Sequence, residues 1–434
     1  MTDPTRRQFV RLTSASIISL GLLGTASCAG GSGGSGPGSG NQLQMTWWGD
    51  PTRGERMQQA IDMFTQANSD ISVTAQPAGW EGYWDKLATQ MAGGNAADWI
   101  MMDQSYLADY AEREALADLE PLVGSQLDLS SVPTDLVDSA RVGGSLFVVP
   151  LAVNTQALLY NASVFERSGV AAPGGEMTWE QFADLAAQVA GSSGGAAGSA
   201  DRGGYIDAFE VWLRGQGGEL YREEGQELAV TADDVRQWWT FWDGLRQAGA
   251  LVAPDVQAAA DAGGARANPV VTGEAAMTFD WSPQWTNFQG MTEDTISGHA
   301  LPVGDARPGQ FVKAANYFCS PARSDSTEAA AELASFLIND QDAARALGLT
   351  LGVPASTAMQ EAIAGDLDDT ERQIVAYVEE VQGRSTPQQR PWVRGHGDLG
   401  NALSRHYQDL SFGRVSVDEA SALFIDDAER AISG

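Results

Sequence analysis

A chain of 434 residues is too long for one ordinary core and fits two domains, and a formal net charge of −31 argues against a nucleic-acid or anionic-membrane footprint. A hydrophobic content of 43% with 19% charged residues is globular, and thirteen tryptophans are many.

The N-terminus reads as a targeting segment. Thr5-Arg-Arg-Gln-Phe-Val-Arg11 matches the twin-arginine signature, and the apolar run at 17–23 is shorter than the about 20 residues a membrane span needs. Thr25-Ala-Ser-Cys28 follows, with small residues ahead of a cysteine as in a bacterial lipobox, although Thr25 stands where leucine is usual. The expectation is a signal peptide over 1–27, a lipidated Cys28 and a Gly/Ser tether over 28–41. The one other cysteine, Cys319, reads as a small buried hydrophobe, so no disulfide is expected.

Gln42-Leu-Gln-Met-Thr-Trp-Trp48 alternates apolar and polar residues and predicts a strand. Met57, Ala60, Ile61 and Phe64 predict an amphipathic helix, Ile71 to Ala75 a strand, and Tyr83, Trp84, Leu87 and Met91 a second helix. Trp99 to Met102 predicts a short buried strand ending at Asp103, and Tyr106 to Ala115 a third helix. This alternation implies a parallel sheet with helices on its faces, where ligands bind beyond the carboxyl ends of the strands. Those ends carry Trp48, Gly49, Asp50, Trp80 and Asp103.

Phe147 to Asn161 is apolar and β-branched, with Pro150 near its start and the polar pair Asn154-Thr155 inside it. It reads as a strand that leaves one sheet and enters another, which puts two lobes and a cleft on either side of it. Thr178-Trp-Glu-Gln181 predicts a capping box. The G-x-S-x-G match at 191–195 has no strand before it and reads as chance. Asp207 to Leu213 predicts a helix, as does Asp234 to Leu245, whose Trp238, Trp239 and Trp242 sit at core spacing. Ala275 to Asp280 predicts a strand running into Trp281. Phe311 to Phe318 is extended, Thr327 to Ile338 is helical, and the helical tail is broken over 386–400, where Trp392 and His396 lie.

His299, His396 and His406 fall in no metal-binding frame, and no phosphate-binding or dinucleotide fingerprint is present, so neither cofactor nor metal is expected. What recurs is tryptophan beside a carboxylate at predicted strand ends: Trp48 with Asp50, Trp80 with Glu81, and Asp280 with Trp281. Sugars need this pairing, a ring for the C–H face and a fixed acceptor for the hydroxyls. Trp47, Trp84 and Trp99 are expected to point to the opposite side.

Thr46-Trp-Trp-Gly-Asp50, the stretch Ala78 to Gly94, Met101 to Leu107, Pro150 to Asn161, Met177 to Gln181 and Thr272 to Met277 resemble, in order, recurrent segments of family 1 extracellular solute-binding proteins, the receptors of carbohydrate ABC importers. The first-lobe segments look closest to the branch that takes up plant-polysaccharide oligosaccharides, including pectin-derived ones. Ala97-Asp98 stands where that family often has Pro-Asp. The resemblance implies an α/β, two-lobed periplasmic-binding-protein-like fold, each lobe a mostly parallel sheet flanked by helices, joined by a three-crossing hinge. Residues 42–152 and 303–338 would form one lobe and 153–302 with 339–434 the other. Trp48, Trp80, Asp103, Asn154, Asp207, Asp280, Trp281, Tyr317 and Trp392 would line the cleft. The implied protein is a non-catalytic monomer with a carbohydrate ligand and a membrane permease as partners. Its rivals are an extracellular glycoside hydrolase, which needs a spaced carboxylate pair, a receptor for a non-sugar solute, and a surface adhesin.

Overall fold

The computed structural model describes residues 41–80, 82–192, 195–222, 227–385 and 392–433, all within the unit Ser39–Gly434. Among these residues the strands are β1 (Gln42–Trp48), β2 (Ser72–Ala78), β3 (Trp99–Met102), β4 (Val149–Asn161), β5 (Ala197–Ser199), β6 (Ala275–Trp281), β7 (Ile296–His299), β8 (Val312–Cys319) and β9 (Val353–Pro354). The signal segment, Cys28, Glu81 and the stretch 386–391 lie outside the described residues, as do two positions of the G-x-S-x-G match.

Residues 42–112 build the expected alternation. β1 pairs parallel with β2 on one side and β3 on the other. The helix Pro51–Ala67 between β1 and β2 starts where the Asp50 carboxylate accepts the Arg53 amide, with proline in its first turn, and it buries Met57, Ala60, Ile61 and Phe64. β3 is buried at all four positions, as befits a central strand.

β4 does the joining. Its residues 149–155 pair antiparallel with β8, which in turn pairs with β3. Its residues 156–161 pair antiparallel with β6 and β7, and β5 adds to β6 in parallel. The order is β2-β1-β3-β8-β4-β6-β5, with β7 and β9 also on β4. The parallel part lies in β2-β1-β3 and β5-β6; β8 pairs antiparallel because the chain returns to the first sheet from the opposite end. A strand that changes partner midway leaves backbone groups needing new partners. Ser282 N–H donates to the Thr155 carbonyl (2.8 Å), and the Gln310 amide and Tyr377 hydroxyl both donate to the Gln156 carbonyl (2.6 Å each).

Apolar side chains gather in three clusters. One covers β1 to β3 and includes Phe318, Leu333, Leu337 and Leu347. A second surrounds Phe182, Phe209, Trp238, Trp239, Trp242 and Phe279, with Leu403 and Phe424 from the tail. The third joins Leu159, Trp285, Ile374 and Tyr377. The tryptophans of helix Ala232–Gln247 are therefore core, as their spacing predicts, and the indoles of Trp238 and Trp239 donate to the Gly203 carbonyl (2.8 and 3.0 Å). Gly203 is required there: a Cβ would sit 2.2 Å from the Tyr407 ring. The capping box Thr178–Gln181 forms in both directions. Cys319 is fully buried and burial pushes its thiol far up, so it behaves as a hydrophobe.

Candidate ligand site at the strand crossover

Residues directly opposite in an antiparallel pair share a face, and so do residues two apart along a strand. On β4 this places Asn154 opposite Lys313 of β8, and Gln156 opposite Trp281 of β6. The point where β4 changes sheets thus presents two amides, an ammonium and an indole side by side. Asn154 Oδ1 and Gln156 Oε1 are buried and have no hydrogen-bond partner among the described residues.

Lys313 is the centre of this group. Its side chain is only 4% exposed, and its Nζ lies 3.7 Å from Asp103, 4.6 Å from the Trp281 ring centre and 4.8 Å from that of Trp392. Asp103 caps helix Gln104–Glu112, accepting from the amide and hydroxyl of Ser105 (2.9 and 2.7 Å). Burial alone would raise the Asp103 carboxyl, but Lys313 and the Ser105 bonds outweigh it and hold it below the ordinary aspartate value. Asp207, in the first turn of helix Ile206–Gly215, is pushed up by burial to about 6 against the pull of Lys313.

Trp392 stacks flat on His396, with centroids 3.9 Å apart and planes 7° apart, and its indole donates to Glu210 (3.1 Å). His396 Nδ1 is 2.6 Å from the Tyr221 hydroxyl. Burial lowers the imidazole to about 3, with nearby Asp103 pulling the other way, and raises the Glu210 carboxyl to about 8 despite nearby Arg214.

Asp280 sits in a neighbouring group. Its carboxylate is 3.4 Å from Arg202, whose guanidinium lies 4.1 Å over the Tyr205 ring, so Asp280 has a cation partner of its own. A cavity of about 190 Å³ opens beside Arg202 and Tyr205, but none of the residues around Lys313 lines it. Tyr317 is fully buried in the first core cluster, opposite Met102; burial and the nearby Asp103 push its phenol up.

Trp48 and Trp80 form a second aromatic group at the end of β1. The Trp48 ring meets Trp80 and Tyr83 edge-on, both at 5.3 Å, and Trp80 is 45% exposed. Trp47 and Trp99 are buried as expected, but Trp84 is not on the opposite side. It is half-buried, 5.4 Å from Trp48, and stacked on Tyr106 at 3.9 Å. Tyr83 and Leu87 take the core positions of helix Tyr83–Gly93, and the larger indole is left at its edge.

Tyr106 also touches the far side of the site: a Cβ on Gly397 would lie 2.9 Å from its ring. Two further contacts run the same way. The Gly395 amide donates to Asp109 (3.2 Å), and Arg394 is 3.7 Å from Glu112. Helix Gln104–Glu112, which follows β3, is thereby joined to residues 394–397 at the start of helix His396–Ser411.

The structure therefore brings Asp103, Asn154, Asp207, Trp281 and Trp392 together around Lys313, and places Trp48, Trp80, Asp280 and Tyr317 in adjoining groups. Lys313, Gln156, Glu210, His396 and Tyr106 carry no local motif. For Lys313 a signal exists in the composition: it is one of only two lysines in the chain, set in a mostly apolar strand. Among the described residues no group of His, Cys, Asp and Glu has the arrangement of a metal site.

Residues 59–371 match the family model for bacterial extracellular solute-binding proteins. The chain belongs to that family. This solute-binding protein is 27% identical over 183 residues to an uncharacterized lipoprotein from the oleD 5′ region of Streptomyces antibioticus, a stretch covering 42% of this chain and 40% of that one. The match thus spans about two fifths of that relative's length. Among solved structures, a periplasmic oligogalacturonide-binding protein from Yersinia enterocolitica in complex with saturated digalacturonic acid superposes with a TM-score of 0.80 at 19% identity, over 90% of this chain and 98% of that one. An ABC substrate-binding protein from Listeria monocytogenes in complex with cycloalternan gives 0.79 at 18% identity, over 90% and 99%. These likenesses show the fold, the two-lobed α/β arrangement of periplasmic binding proteins.

Proposed function

We propose that this solute-binding protein is an exported, lipid-anchored receptor that captures an oligosaccharide between its lobes and delivers it to the permease of an ABC importer. The observation that carries the reading is the pair of buried, unpartnered amide oxygens of Asn154 and Gln156, on residues that face Lys313 and Trp281 across the strand pairs. An unmet buried acceptor costs about 1–3 kcal/mol, which sugar hydroxyls donating to both amides would recover. The carbohydrate complexes of the Yersinia and Listeria proteins support the same ligand class.

The lobes are 42–152 with about 312–355 and 153–311 with about 356–433, hinged at β4 and two later crossings; this moves the expected bounds of 303 and 338, because Leu347 and Leu351 pack in the first cluster, where Arg53 and Arg56 donate to the Thr350 and Leu347 carbonyls, while Phe311 packs in the second. Trp281 stacks on the sugar from the second lobe, and Trp48 and Trp80 from the first; Trp392, buried between His396 and Lys313, backs the site instead of stacking on the ligand. Asp103, Asp207 and Asp280 accept hydroxyl hydrogen bonds, with Asn154 completing the wall; Tyr317, expected there from the sequence, is a core residue of the first cluster instead. Ligand contacts made only in the closed state bias the hinge. The protein performs no chemistry on its ligand and acts as a monomer.

A thermal-shift screen against mono- and oligosaccharides tests the reading. A ligand present at 100 times its Kd should add about 2.7 kcal/mol of stability, and chromatography should return it unchanged. A panel without a single stabilising sugar would sink the ligand class, and multiple-turnover cleavage would make the protein a hydrolase. For the anchor, Cys28→Ala is expected to release the protein into the medium; a variant that still sediments with membranes would refute lipidation at that residue.

A further inference from the structure

Resting on the oligosaccharide reading, we infer that Lys313 determines the charge specificity of this site: its own ammonium fills a box of two rings and a carboxylate, so the site takes uncharged polyhydroxyl segments and refuses cationic and anionic ones. Two aromatic faces within about 6 Å of a cation, backed by carboxylates, is how proteins recognise free ammonium ligands. Here Trp281, Trp392 and Asp103 surround an ammonium, with Asp207 acting on it as well. The occupant is part of the chain.

The choice of lysine is informative. All but two of the chain's 26 basic Lys and Arg residues are arginine, and the other lysine, Lys86, is exposed. A compact ammonium with three rotatable donors, rather than a planar guanidinium, is the group retained between the rings. A solute amine would have to expel Lys313 from its carboxylates and leave a buried charge behind. An anionic segment would meet Asp103 and Asp207 here and Asp280 in the neighbouring group, with Lys313 and Arg202 already paired to Asp103 and Asp280. A hydroxyl suits the place: it can accept from Lys313 while donating to Asn154 Oδ1 or Gln156 Oε1.

Methylammonium chloride tests the box without any sugar. Titrated against sodium chloride at equal ionic strength, it should raise the Tm of Lys313→Ala saturably and leave the wild type unmoved. If Lys313→Ala is unfolded alone, methylammonium should restore its cooperative melt. No effect on the variant, or equal effects on both proteins, overturns the inference. The second arm compares cellotriose, chitosan trimer and glucuronan trimer, which share one backbone and differ in charge. Wild type should prefer cellotriose at least tenfold over either charged trimer, and Lys313→Met, which keeps the stem, should lose at least tenfold of its discrimination against chitosan trimer. Wild-type preference for a charged trimer, or unchanged discrimination in Lys313→Met, overturns the specificity role. Because the first arm uses no carbohydrate, failure of the oligosaccharide reading and failure of the box are separate results.

Discussion

Trp281→Ala should weaken binding of the preferred oligosaccharide by roughly 30- to 1000-fold, about 2–4 kcal/mol, while leaving the fold largely intact. Trp281 ends β6, is half-buried, and presents its ring to Lys313 in the same place a sugar face would stack. What the fold loses with that ring is its contact with the ammonium, about 0.5–2 kcal/mol, and a partly exposed packing contact with the second cluster. Trp239 is the opposite case. It is fully buried, it packs on Tyr407 and Phe424, and its indole is tied to the Gly203 carbonyl. Trp239→Ala should cost about 3–5 kcal/mol of stability and leave affinity little changed in the protein that folds. Calorimetric titrations and melts on both variants separate the two roles. A Trp281→Ala protein that melts far lower yet binds normally would make Trp281 a core residue.

Glu210→Gln should change the pH profile of stability. Burial raises the Glu210 carboxyl from an ordinary 4.5 to about 8, so between those values the native protein holds a proton the unfolded chain has released. Stability contributed by this group therefore falls as pH rises, by about 1.4 kcal/mol per unit, until it levels off above about 8. Asp207, raised from 3.8 to about 6, acts in the same direction over its lower window. His396, lowered from 6.5 to about 3, acts oppositely: only the unfolded chain takes its proton, so stability is lost as pH drops below 6.5. Above 6.5 Glu210 is the one of the three still changing the balance. The glutamine variant can still accept from the Trp392 indole. It should match wild type near pH 4.5 and outlast it increasingly towards pH 8, by roughly 4 kcal/mol at most. Urea unfolding at pH 5, 6.5 and 8 measures this, and a pH-independent difference between the two proteins would refute it.

The crossover strand was legible because its chemistry is local. A β-branched run interrupted by Pro150 and Asn154-Thr155 can be read without knowing what packs on it. The ring of Trp281 was legible for the same reason, standing at the end of a predicted strand, whereas Trp392, in a break of the helical tail, was placed only by the family resemblance. Lys313 was not, since Asp103, Trp281 and Trp392 come to it from three separate parts of the chain. Glu210 and His396 follow the same rule: a carboxyl on a helix and an imidazole after a loop reveal nothing until Trp392 lies between them. Trp84 shows a finer limit. Helical phase places it beside Tyr83 and Leu87, but only the bulk of Tyr106 decides which way the indole turns.

The contacts between helix Gln104–Glu112 and residues 394–397 bear on time rather than affinity. Tyr106 against Gly397, Asp109 on the Gly395 amide and Glu112 near Arg394 hold the helix capped by Asp103 against the segment that follows Trp392, and a solute entering between them would have to open these contacts first. Association that waits on such an opening runs slower than the about 10⁵–10⁷ per molar per second of preformed surfaces, and the same opening paces departure. A captured solute would then outlast many encounters in solution, its residence set by how often those two segments part.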